Sequence, residues 1–121
     1  MTSNDGQIPA ALAVGRVLLG VASLGAPHAL ARAFGARSTP ESLYLTRVYG
    51  IRALAMGFGY LTAGAGERAR WLWLGLLIDL SDTAAGLGHL RRRDVPLRAA
   101  WPLVALTGTY AAAEALRLSR R

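Results

Sequence analysis

The sequence contains no cysteine, which excludes disulfides, thiolate chemistry and Cys-based metal sites. It contains no lysine either: all 14 basic residues are arginine, set against 7 acids for a net charge of +7. A bias toward Arg and Ala is what GC-rich coding produces, so the missing lysine says little about mechanism. Charge of either sign is sparse, 17% of residues against 53% hydrophobic, a balance displaced from the globular average toward the membrane class. The arginines sit at the ends of apolar runs and form no basic stripe with interleaved stacking aromatics. That distribution argues against nucleic acid as a partner and for anionic membrane lipid headgroups. The start, Met1 to Gln7, holds Asp5 and no basic residue. It lacks the positive n-region of a signal peptide, although Ala29-Leu30-Ala31 imitates a cleavage site, so the first apolar segment is expected to be retained.

What the 121 residues do contain is an alternation of apolar stretches about twenty residues long with short Arg-bearing connectors. This predicts an all-α fold, a single integral membrane domain over 1–121 built as an antiparallel bundle of four transmembrane helices, multi-pass in the cell membrane. The spans are expected at about 9–24, 40–61, 71–90 and 99–118, with a short helical extension or interfacial turn at His28 to Phe34. Thr39 or Ser38 followed by Pro40 and Glu41 marks the start of the second span, and Ala63-Gly64-Ala65-Gly66 its closing connector. Trp71, Trp73 and Trp101 fall in first turns of spans, where amphipathic rings favour the headgroup level. Connector arginines divide almost evenly between the two faces. The density of Arg91-Arg92-Arg93 favours both termini outside the cytoplasm.

Inside the predicted spans stand Arg16, Arg47, Arg52, Asp79, Asp82 and Glu114, three positive and three negative. An acid or arginine at mid-membrane costs about 2.5 to 3.5 kcal/mol on insertion scales, so these groups are expected to face protein partners. Counted from the connector near Ala65 and Gly66, Arg52 and Asp79 both lie about 20 Å from the turn, and Arg47 comes level with Asp82. On the third span Leu72, Gly75, Asp79, Asp82, Gly86 and His89 form one stripe. On the fourth, Leu103, Thr107, Tyr110, Glu114 and Arg117 form another. Ala53-x-x-x-Gly57 and Ala11-x-x-x-Gly15 allow close helix approach. Arg16, only two turns into its span, and Arg47 are near enough to an interface to snorkel as an alternative, whereas Arg52 is too central to do so comfortably. His28 and His89 read as interfacial, because Asp82 and His89 are about 10 Å apart along a helix and suit no single metal ion.

The run Arg47-Val48-Tyr49-Gly50-Ile51-Arg52-Ala53-Leu54-Ala55-Met56-Gly57, with Asp79-Leu80-Ser81-Asp82, resembles small four-helix bacterial integral membrane proteins catalogued as a domain of unknown function. The resemblance implies a four-span fold and no assigned activity. Ion pairs that merely lock helix register would account for part of the buried charge. Two acids on one face plus Glu114 exceed that need, which points to a site. The expected function is to hold a lipophilic or ionisable ligand at Arg47, Arg52, Asp79 and Asp82, with Tyr49, Tyr110 and Glu114 contributing, in a homo-oligomer or a larger membrane complex. A second reading is acid-base catalysis by Asp79 and Asp82 on a lipid-soluble substrate, such as isomerisation, cyclisation or epoxide opening. A third is proton-coupled transport. No cofactor and no metal are expected.

Overall fold

The computed structural model describes residues 4–120, and these form five α-helices with no strand: α1 (Asn4–Gly25), α2 (Pro27–Ala33), α3 (Pro40–Thr62), α4 (Ala65–Arg92) and α5 (Leu97–Ser119). Met1 to Ser3 of the polar start, and Arg121 of the terminal arginine pair, lie outside the described residues. The all-α expectation holds. The four long helices cover the four expected spans, and the extension at His28 to Phe34 is the separate helix α2. By length and composition, only Gln7–Gly25, near the N-terminus with mean hydropathy 1.7, is apolar enough to cross a membrane among the described residues. The charges placed along α3, α4 and α5 lower the hydropathy of those helices.

Local chemistry explains where the helices begin and end. Thr39 caps α3 reciprocally: its Oγ1 accepts from the Ser42 backbone N–H at 3.0 Å, and the Ser42 Oγ accepts from the Thr39 N–H at 2.9 Å. Pro40 follows in the first turn, where its missing N–H costs nothing. Helix α2 closes with Gly35 at φ 73, the Gly35 N–H donating to the Arg32 carbonyl and the Ala36 N–H to that of Ala31, a Schellman arrangement. Helix α4 starts at Ala65, earlier than the expected 71. Nothing from Glu67 to Arg70 breaks a helix, and Glu67 suits the positive end of the helix dipole. The connector expected at Ala63 to Gly66 therefore shrinks to Ala63 and Gly64. At its far end α4 runs through Arg92 and stops at Arg93, a non-glycine residue in the left-handed region at φ 57.

The helices pack as two antiparallel pairs, α1 with α3 and α4 with α5. In the first pair Gly20 lies against Gly50, and Gly57 against the Ala13 carbonyl, so closely that a side chain at Gly50 would collide with Ser23. Small residues at helix crossings permit such approach. Ala53-x-x-x-Gly57 is part of this seam, whereas on α1 the seam is Ala13, Gly20 and Ser23 instead of the expected Ala11 and Gly15: Ala11 is exposed, and Gly15 faces the Tyr110 hydroxyl. In the second pair Gly75 gives room to the Glu114 carboxyl, Gly86 sits against Val104, and the Thr83 and Thr107 hydroxyls are 2.8 Å apart. The pairs join where the Trp71 ring covers Gly59 and where charged side chains meet between them.

The resulting distribution of polarity is inverted. Apart from Met56, Leu72, Val104 and Tyr110, the buried hydrophobic residues are alanines, and they are accompanied by Ser23, Asp79, Thr107 and Glu114. Large apolar side chains point outward on every long helix, among them Leu18, Ile51, Phe58, Leu77, Leu80 and Leu116.

Candidate functional site

Three helices bring charge to the middle of the molecule. Arg16 on α1 pairs through Nη2 with Asp79 Oδ2 on α4, and the same nitrogen stands 3.4 Å from Glu114 Oε2 on α5. Its Nη1 lies 3.4 Å from Asp79 Oδ1. Asp79 and Glu114 are only 3% and 4% exposed. Tyr110 completes the cluster, its ring 4.6 Å from the Arg16 guanidinium carbon and its hydroxyl donating to the Leu12 carbonyl at 2.9 Å. A cation over an aromatic face gains further attraction where water is excluded. Beside these groups there is little empty space: a void of about 20 Å³ touches Arg16 and Glu114, and one of about 10 Å³ touches Arg16, Asp79, Tyr49 and Thr107.

A second ion pair is open. Arg52 Nη2 on α3 meets Asp82 Oδ2 on α4 at 2.7 Å, with the two side chains 43% and 30% exposed. The Tyr49 ring lies 5.5 Å from the Arg52 guanidinium carbon. This pair lines a cavity of about 320 Å³ between α3, α4 and α5, whose other walls include Gly86, His89, Val95, Leu103 and Val104. A neighbouring cavity of about 260 Å³, against Leu30, Phe34 and Leu45, shares Tyr49 and Leu103 with it. At the rim, the His89 ring Nδ1 is 2.7 Å from Asp94 Oδ1 and Arg92 Nε donates to Asp94 Oδ2 at 3.3 Å. Those contacts, His89 foremost, hold the Asp94 carboxyl below its ordinary value.

Opposite charges from different helices do meet in the interior, but the pairing differs from the expected one. Asp79 goes to Arg16 and Asp82 to Arg52, where Arg52 with Asp79 and Arg47 with Asp82 had been anticipated. Three residues advance an α-helix by about 300°, so the two carboxyls diverge by about 60° and address different neighbours. Arg47 is exposed and joins no hydrogen bond or ion pair among the described residues. It stays outside the site. Tyr49 stands between the two pairs, and Tyr110 and Glu114 belong to the sealed cluster.

Arg16 is the residue that sequence reasoning misplaced. Instead of snorkelling outward, it turns inward, because two carboxylates and a tyrosine ring replace the water it would otherwise seek. A signal for this existed: Pro9, Ala13, Arg16, Gly20 and Ser23 repeat at four- and three-residue steps, and all but Arg16 are buried. Among the described residues no three His, Asp or Glu side chains converge as a bound metal ion would require. No family model, curated protein or solved structure matches the chain.

Proposed function

We propose that this chain is a multi-pass membrane protein of four spans, α1, α3, α4 and α5, which holds a small lipophilic molecule in the cavity beside Arg52 and Asp82. The spans of 22, 23, 28 and 23 residues have the length for it, since about twenty helical residues cross the roughly 30 Å hydrocarbon layer. Charge inside and large apolar side chains outside is the arrangement that lipid favours and water disfavours. Small residues at the α1 and α3 crossing suit helices that associate without a hydrophobic driving force. Helix α2, with Arg32 in its last turn, would then lie at the membrane surface.

One observation carries the ligand: a cavity of about 320 Å³ whose largely apolar wall is interrupted by a half-open ion pair. That volume lies at the lower end of the range for small-molecule sites, about 300 to 1,000 Å³. Arg52 retains N–H donors and Asp82 retains acceptor capacity beyond their mutual bond, so a polar end that both donates and accepts would be fixed there. The aliphatic remainder would lie along Leu103 and Val104. Tyr49 and Leu103 border the second cavity, toward which a longer tail would extend.

Mass spectrometry of lipid extracts from the purified chain tests this. A lipophilic compound should accompany the wild type and Arg47→Ala, and should be lost from Asp82→Asn and from Leu103→Trp, which fills the cavity. Equal recovery from all four proteins would refute the ligand site.

A further inference from the structure

We propose that Arg16, Asp79 and Glu114 form a proton-binding site that holds one exchangeable proton between its two carboxyls and is reached from the cavity at Arg52 and Asp82 past Tyr49 and Thr107. The proton site stands apart from any ligand of that cavity and needs none.

Charge comes first. One guanidinium nitrogen serves two carboxyls, so with both acids ionised the cluster carries one uncompensated negative charge among side chains that water scarcely reaches. Burying such a charge is costly, and a carboxyl that cannot find a second cation is relieved by a proton. Among the described residues no second cation pairs with either carboxyl. The groups around the cluster are Arg16 from α1, Tyr49 from α3 with Tyr60 beside the void at Glu114, Asp79 from α4, and Glu114 and Tyr110 from α5. Of the cations near these walls, Arg52 is engaged with Asp82 and Arg68 lies over the Tyr60 ring, 5.9 Å from its centroid.

Access comes second. The voids beside Glu114 and beside Asp79, about 20 and 10 Å³, are each on the scale of one water molecule. Arg16 borders both. The void at Asp79 shares Tyr49 and Thr107 with the cavity at Arg52 and Asp82, so the two spaces adjoin at those side chains. Thr107, hydrogen bonded to the Leu103 carbonyl at 3.0 Å and close to the Thr83 hydroxyl, stands at that junction. A proton arrives there from a water oxygen, binds a carboxylate oxygen and leaves by the reverse transfer. No electron moves and no bond other than O–H changes.

Infrared spectroscopy of the full chain in detergent at neutral pH reads the proton directly, as the stretching band of a protonated carboxyl that shifts on transfer to D₂O. The band should be present in the wild type and in Glu67→Gln, an exposed control. It should vanish in Asp79→Asn and in Glu114→Gln, because either replacement leaves one carboxylate for one guanidinium. Thr107→Val should keep the band and slow its D₂O shift. Isotope labelling of aspartate or glutamate carboxyls assigns the band in the unaltered chain should a variant fail to fold. Absence of the band, its survival in both neutral variants, or a band that never shifts in D₂O would each overturn the site. An undiminished exchange rate in Thr107→Val would overturn the route.

Discussion

At the scale of single residues, Arg16 and Arg47 exchange the places that the sequence suggests for them. Arg47, in the run 47–57, ends at the surface, whereas Arg16 becomes the hub of three helices. Removing one partner of a buried ion pair costs about 3 to 5 kcal/mol, because the remaining charge stays buried. Arg16→Met should therefore lower the unfolding midpoint in detergent strongly. Combining it with Asp79→Asn and Glu114→Gln should recover much of the loss. Arg47→Ala should stay within about 0.5 kcal/mol of wild type, the usual range for a surface change. Lysine at position 16 is not expected to substitute, since it has neither the second nitrogen that reaches Asp79 nor the planar group that lies over Tyr110. Equal effects at positions 16 and 47 would contradict the central place given to Arg16.

At the scale of elements, the pairing of α1 with α3 depends on residues with almost no side chain. Gly50→Val would drive a branched side chain into Ser23 and the Gly20 carbonyl, contacts involving backbone that cannot easily yield. Overpacking of this kind costs about 1 to 3 kcal/mol. Gly64→Ala, with nothing within 4 Å of the added carbon and an ordinary φ of -71, should be close to neutral in the same unfolding assay. Helix identity was legible at this scale, because apolar runs, the Thr39 cap and the Pro and Gly punctuation act locally. Helix partners were not: the Arg52 and Asp79 alignment assumed that one hairpin sets all contacts, while α1, distant in sequence, takes the Asp79 face of α4. The start of α4 was missed for a simpler reason, since the tryptophans mark where a membrane interface is expected and not where the helix begins.

At the scale of the whole molecule, the question is what solvent surrounds it. Leu77 is 62% exposed in the middle of α4. If lipid covers that face, Leu77→Arg carries an insertion penalty of about 2.5 to 3.5 kcal/mol and should shift the chain out of the membrane fraction. A variant that instead becomes a well-behaved, detergent-free monomer would refute the four-span reading. Composition and periodicity alone determined that the chain is helical and that Asp79 and Glu114 lie on inward stripes, because these follow from each residue's own polarity and its spacing along one helix. Only the tertiary structure decided which cation each acid receives, that Arg16 belongs with them, and that one ion pair is sealed while the other opens onto a cavity. Those outcomes depend on how helices remote in sequence rotate and settle against each other, a matter of packing between surfaces that no single helix encodes.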